Sequence, residues 1–244
     1  MVIPPGPKVR QVLALLLMRP GQVVPVETLV EELWEDAPPR TALQSLHTHV
    51  YRLRRLLGAD GDPPAPLLTE PTGYVLQVAG EQVDAERFRR LAERGAAGVA
   101  RGETAEGAAV LREALALWRG RPLGNVACGP VLTRHLAQLE EARIRALELR
   151  IEADMRLGRH RELVGELRGL VAANPLNEWF HARLIETLHR VGRRGEALTA
   201  FHDLRRVLDR ELGLEPSPEV RRLQREILEV GTRPMPGLRS SAAS

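Results

Sequence analysis

Apolar residues recur at spacings of three and four along most of the chain, and the places where this rhythm breaks mark out its organisation. Val9, Val12, Leu13, Leu16 and Leu17 share one helical face, opened by Pro7-Lys8 and closed by Pro20-Gly21. A second helix is expected from just after Pro25 to about Trp34. Val26, Leu29, Val30 and Leu33 would face inward, with Glu27, Glu31, Glu32, Glu35 and Asp36 forming an acidic outer side. Ala37-Pro38-Pro39 then reads as a stiff connector, because each proline fixes its own φ and drives the preceding residue out of the α region. A third helix, about Arg40 to Leu57, carries Leu43, Leu46, Val50, Leu53 and Leu57 as a single stripe. Beyond a polar, proline-rich loop from Gly58 to Pro66 the rhythm changes to short β-prone runs. Leu67-Leu68-Thr69-Glu70 and Tyr74-Val75-Leu76-Gln77-Val78 flank Pro71-Thr72-Gly73, the pattern of a hairpin. Three helices followed by a hairpin outline a winged helix-turn-helix.

From Asp84 onward the helical period dominates. Phe88, Leu91, Val99, Leu111, Leu115 and Trp118 are the core candidates of two helices, and a long helix is expected from about Leu132 to Leu157. An internal repeat follows: Gly158-Arg159-His160-Arg161-Glu162-Leu163 recurs as Gly192-Arg193-Arg194-Gly195-Glu196-Ala197, 34 positions later. The same offset pairs Val164 with Leu198, Leu167 with Phe201, and Leu170 with Leu204. That period, with a small residue at the turn between helices, is the tetratricopeptide signature; an ordinary helical bundle with a coincidental period is the alternative. The fold class is therefore mainly α, in three stretches. Residues 1–79 form the winged helix-turn-helix with a β-hairpin wing, residues 80–230 an all-α tetratricopeptide-like region, and residues 231–244 a tail without periodicity.

Charge sharpens this outline locally rather than globally. The chain of 244 residues carries a formal net charge of +3, and Lys8 is its only lysine. Such arginine usage also follows from a GC-rich genome, so the global bias says little about ligands. Residues 1–79 hold seven cations against eight acids, while the span from Pro38 to Leu57 holds four arginines and no acid. Within that span, at about 100° per residue, the side opposite the leucine stripe presents Thr41, Gln44, Ser45, Thr48, Arg52 and Arg55, with Tyr51 beside them. Arginine pairs with guanine edges or phosphates, and glutamine and threonine reach adenine edges and thymine methyls, so this face suits a DNA groove. A solvated, arginine-biased helix is the bland alternative.

Residues 1–79 resemble the OmpR/PhoB-type winged helix through Leu33-Trp34, through His49-Val50-Tyr51-Arg52-Leu53-Arg54-Arg55-Leu56-Leu57, and through Gly73-Tyr74-Val75-Leu76. The resemblance implies that the third helix is the recognition helix. Thr48 and Arg52 match base-contacting positions, and His49 and Arg54 match phosphate-contacting ones. Ala37, Pro38, Pro39 and Arg40 fall where that family touches RNA polymerase, and Thr72 and Gly73 fall in the wing beside a minor groove. The family opens with a sheet of several strands, whereas only Met1 to Pro7 precedes the first helix here, so the wing is expected to lose strand partners and expose its edges. Further along stand Asp84-Ala85-Glu86-Arg87-Phe88, Leu117-Trp118-Arg119-Gly120-Arg121-Pro122-Leu123, Asn174-Pro175-Leu176-Asn177-Glu178, and 211–219 from Glu211-Leu212-Gly213 to Pro218-Glu219. These resemble the bacterial transcriptional activation domain. A winged helix followed by that domain is the arrangement of the SARP family, pathway-specific activators of antibiotic biosynthesis. The resemblance implies a transcriptional activator that binds direct repeats of double-stranded DNA near a −35 element, as tandem protomers of a homodimer, in contact with RNA polymerase holoenzyme. The chain contains no G-x-x-x-x-G-K-[ST] motif, so it reads as a small form without a nucleotide-hydrolysing domain.

Other chemistry finds little support. His47 and His49 face different ways on a helix, and His181, His189 and His202 lack partners at ligand spacing, so no metal or cofactor is expected. Cys128, the lone cysteine, sits in a Gly-Pro turn and reads as inert rather than catalytic, even with His135 nearby. No apolar run approaches the roughly 18–20 residues that span a bilayer, so a cytoplasmic, nucleoid-associated protein without membrane contact is expected. The competing function is a tetratricopeptide-type adaptor whose winged helix binds protein rather than DNA.

Overall fold

The computed structural model describes residues 4–58 and 66–229. The tail expected over residues 231–244 and most of the loop before the hairpin lie outside the described residues. The elements run α1 (Pro7–Leu17), β1 (Val23–Pro25), α2 (Val26–Trp34), α3 (Ala42–Leu57), β2 (Leu67–Glu70), β3 (Gly73–Leu76), α4 (Asp84–Ala100), α5 (Thr104–Ala116), α6 (Pro130–Arg156), α7 (His160–Ala173), α8 (Glu178–Arg190), α9 (Arg194–Leu212) and α10 (Pro218–Glu229). Two compact units result, Met1–Ala153 and Asp154–Ser244.

In the first unit α1, α2 and α3 enclose an aliphatic core of Val9, Val12, Leu15, Leu16, Leu29, Leu46, Val50 and Leu53. The hairpin forms where the β-prone runs and the intervening turn predict it, with Leu67 opposite Leu76 and Glu70 opposite Gly73 around Pro71-Thr72. It does not stand alone. Val23–Pro25, which the helical reading passed over, forms β1 and pairs antiparallel with β3, giving the order β1-β3-β2. The central strand β3 thus has a partner on each side, while β1 and β2 are the edges of the sheet and, among the described residues, no strand precedes α1. A strand of three residues is too short to show alternation, so its signal is its place between Gly21 and the start of α2. Gly73 is where β3 meets it most closely: a Cβ there would lie 2.0 Å from the Val24 carbonyl oxygen.

The core of residues 1–79 is completed from outside that span. Val131 and Leu132, in the first turn of α6, are buried in it, and Leu123, Val126 and Cys128 pack against it. Burying that turn creates a demand, because the first N–H groups of a helix have no partner within it. Pro130 has no N–H to satisfy, which suits the first helical position. Glu32 satisfies two more: its carboxylate accepts from Gly129 N at 2.6 Å and from Leu132 N at 2.9 Å. These are the two N–H groups that a capping box satisfies within one helix; here one carboxylate from α2 satisfies both. Glu32 is 1% exposed, so it does not belong to the acidic outer side expected of α2. Gly129 permits the approach, since a Cβ there would lie 2.2 Å from the Glu32 carbonyl oxygen. Beside this contact Arg134 and Glu31 form an exposed ion pair at 3.4 Å. The rest of the unit packs α4 on α5 and α6 around Phe88, Leu91, Leu111, Ala114, Leu139 and Ala146, with Val99, Leu115 and Trp118 half-buried against them.

The second unit follows the sequence repeat down to individual hydrogen bonds. Gly158 N donates to Met155 O and Arg159 N to Asp154 O, each at 3.0 Å. Thirty-four positions on, Gly192 N donates to His189 O at 3.0 Å and Arg193 N to Leu188 O at 2.9 Å. The paired core positions Leu167 and Phe201 are both buried. Helix α8 packs against α7, α9 and α10, opened by Asn177, whose side chain accepts from Trp179 N and Phe180 N at 3.0 and 3.2 Å.

Glu32→Gln should lower stability by about 1–3 kcal/mol, because the amide can accept one N–H but turns its own NH2 toward the other buried donor. Glu31→Gln, which breaks only the exposed pair, should cost about 0–1 kcal/mol. Urea denaturation of both variants checks this, and equal losses would show that the buried cap carries no special weight.

Candidate nucleic-acid interface

Helix α3 has its buried side at Ala42, Leu46, Val50 and Leu53. Leu43 and Leu57, expected in that stripe, are instead 54% and 38% exposed. The exposed side runs through Gln44, His47, Thr48, Tyr51, Arg52 and Arg55, the i, i+3, i+4 row opposite the core. His47, absent from the expected face, joins it here, as its spacing from Gln44 and Tyr51 requires. Thr41 precedes the helix and is exposed; Ser45 lies half-buried at the margin. The Thr48 hydroxyl donates to Gln44 O at 2.9 Å, which fixes its rotamer against the helix.

The cations of this helix and of the connector before it divide by role. Arg40, Arg52 and Arg55 are exposed, and among the described residues none has a carboxylate partner. Arg54 is engaged with the sheet: its Nε donates to Leu67 O at 3.0 Å and its Nη2 to Thr69 Oγ1 at 2.7 Å, bracing α3 against β2. His49 is half-buried, and burial, Arg52 and Lys8, in that order, hold its imidazole below the usual histidine range. The wing contributes exposed Thr72, while Gly73 is buried beneath it against β1.

Between α2 and α3 the connector Ala37-Pro38-Pro39-Arg40 is exposed throughout. Both of its ends are held. Glu35 ends α2 at φ 54°, its N–H bonded to Glu31 O at 2.8 Å, and Ala42 N donates to Pro39 O at 2.9 Å. Lys8 caps the C-terminus of α2 by donating to Leu33 O at 2.8 Å, and its ammonium lies 4.3 Å from the Trp34 ring centroid. The single lysine is therefore a brace for the connector.

Many of the arginines beyond residue 80 are bound up differently. Arg87 pairs with Glu113, Arg89 with Glu86, Arg119 with Asp84, Arg183 with Glu186 and Glu219, and Arg205 with Glu215. The Cys128 thiol is pushed up by burial and by the nearby Glu32 carboxylate, which keeps it protonated in its place against the core. Among the described residues, no His, Cys, Asp or Glu cluster could hold a metal ion, and no helix is long and apolar enough to cross a membrane.

Two family models match the chain in this order: the C-terminal domain of transcriptional regulatory proteins over residues 2–76, and the bacterial transcriptional activator domain over residues 83–228. The chain belongs to the SARP family. It is 44% identical over 233 residues to the regulatory protein DnrI of Streptomyces peucetius, covering 93% of this chain and 86% of that one. It is 35% identical over 223 residues to the regulatory protein AfsR of Streptomyces griseus, covering 91% of this chain but 22% of AfsR. The structure of Mycobacterium tuberculosis EmbR in complex with a low affinity phosphopeptide superposes with a TM-score of 0.85 at 31% identity, over 96% of this chain and 62% of that chain. This SARP member is thus a transcriptional regulator built from a winged helix and a tetratricopeptide-like helical region, and its relatives carry regulatory names rather than enzymatic ones.

A histidine whose folded pKa is depressed is stable in its neutral form, so its contribution is present above the unfolded value of about 6.5 and is lost as pH falls below it. Lowering the pH from about 7.5 to about 5.5 should therefore reduce the thermal stability of wild type more than that of His49→Gln. His135 and His181, also depressed by burial, contribute equally in both proteins; parallel losses would remove His49 from the account. Gly73→Ala should destabilise the unit by about 1–3 kcal/mol by forcing β1 and β3 apart. Unchanged denaturation would show that the strands can separate freely.

Proposed function

We propose that this regulator is a sequence-specific DNA-binding activator, with residues 1–79 reading DNA and residues 80–230 mediating protein contact. The observation that carries the reading is the contrast in charge pairing. Exposed Arg40, Arg52 and Arg55 lack carboxylate partners among the described residues, whereas many arginines of the helical region, Arg87, Arg119 and Arg205 among them, are held in ion pairs. Unpaired cations beside Thr48, Gln44 and Tyr51 on one exposed row match what a major groove requires, namely phosphate neutralisation together with base-edge donors and acceptors.

On this reading Thr48 and Arg52 touch bases, and Thr41, Gln44, Ser45 and Arg55 line the groove. His49 and Arg54 sit toward the phosphates, Arg54 through whatever donor capacity its brace leaves. Thr72, with Gly73 beneath it, carries the wing to a minor groove, and the braced connector Ala37 to Arg40 meets RNA polymerase holoenzyme. Protomers bind as a tandem homodimer on direct repeats near a −35 element and activate a biosynthetic gene cluster, of the antibiotic or secondary-metabolite kind, in the cytoplasm at the nucleoid. No cofactor takes part. The net acidity of residues 1–79, which favours the adaptor alternative, is spent partly inside the protein, since Glu32 caps α6 and Glu31 pairs with Arg134.

Arg52→Ala should weaken binding to the regulator's own operator by about 1–3 kcal/mol and relax preference at one base position. Titrating wild type and variant against operator and scrambled duplexes checks it, and equal affinities across the four combinations would sink the base-reading role. Wild-type affinity should also fall steeply with salt as counterions are released; an adaptor would show no such dependence.

A further inference from the structure

The stretch from Leu117 to Leu123 has no part in DNA reading, yet it walls a cavity of about 630 Å³ within the first unit. That volume falls in the range of small-molecule sites, about 300–1,000 Å³. The floor is apolar and comes from three helices: Ala14 of α1, Phe88 of α4 and Leu139 of α6, all buried. Trp118 forms a wall held on two sides, edge-on to Phe88 at 5.4 Å between centroids and covered by the Arg143 guanidinium at 4.7 Å. Leu123, at φ 53°, holds the far end of the stretch in a conformation that side chains rarely adopt, the kind of strain that gathers at ligand clamps.

Two arginines line the cavity among its exposed residues, and they differ. Arg119 is tied to Asp84 at 2.6 Å. Arg121 has no carboxylate partner among the described residues. An apolar floor with one uncommitted cation at its edge complements a small molecule that is mostly apolar and carries one negative charge.

We propose that this cavity is a binding site for a small apolar organic anion, its rings or chain packed on Ala14, Phe88 and Trp118 and its acidic group facing Arg121. Its floor joins α1, which packs on the recognition helix α3, to α4 and α6 of the helical region. An occupant would therefore stiffen the contact between the two.

The test uses the full chain and two dyes that share their fused and phenyl rings: 8-anilino-1-naphthalenesulfonate, which bears a sulfonate, and N-phenyl-1-naphthylamine, which does not. Wild type should bind one molecule of either dye, saturably, with the sulfonate dye tighter by fluorescence titration and calorimetry. Arg121→Ala should weaken the sulfonate dye about tenfold, as expected for one charge-assisted hydrogen bond, and leave the neutral dye within about twofold. Ala14→Phe, which places a ring in the cavity, should abolish both. Non-saturable binding, undiminished binding to a folded Ala14→Phe protein, or an unchanged preference between dyes in Arg121→Ala would each overturn the proposal. Because Arg121 is exposed, its variant keeps the test decisive should Ala14→Phe fail to fold.

Discussion

One buried carboxylate holds the first unit together. The first turn of α6 carries Val131 and Leu132 into the core between the winged-helix elements, where its N–H groups cannot reach water. Glu32 answers that demand, and it can do so only because Gly129 lets the two backbones close. The arrangement has the economy of a capping box but spans a sequence separation of about a hundred residues, so the loop-closure entropy it must overcome is far larger. What offsets that cost is the apolar burial around it, in which Leu123, Val126 and Cys128 join the same core.

This cap makes α2 a mechanical element rather than a spacer. Its C-terminal half is held by Glu32 against α6, and the Leu33 carbonyl by the Lys8 ammonium, which also lies on Trp34. The connector Ala37 to Arg40 leaves from this fixed end through the left-handed turn at Glu35 and arrives at α3. Such anchoring leaves the connector little conformational freedom to lose in any contact it makes.

The same residue type serves opposite purposes on either side of residue 80. Many arginines of the helical region hold helices to one another or to their own turns, as Arg87 does with Glu113 and Arg183 with Glu219. On α3, Arg54 is structural and its neighbours Arg52 and Arg55 are uncommitted. A pI of about 9.7 therefore measures the wrong thing: what a polyanion meets is the local excess of charge without partners, not the total.

Periodicity alone determined the helices, the hairpin and the 34-residue repeat of this chain, because each is a local pattern in which every residue's side is set by its place in a turn or pleat. The exposed row of α3 was legible for the same reason; His47, left off the expected face, lies on it by the same spacing. Tertiary structure decided what spacing cannot carry. Glu32 has the sequence position of a solvated acid and becomes buried only because α6 arrives beside it. Val23–Pro25 becomes a strand only because β3 offers an edge. Gly73 and Gly129 are required by backbones remote in sequence, and Arg54 parts from Arg52 and Arg55 only once β2 lies against it. In each case the deciding partner is far along the chain, and a buried polar group or a close backbone contact has no meaning until that partner is in place.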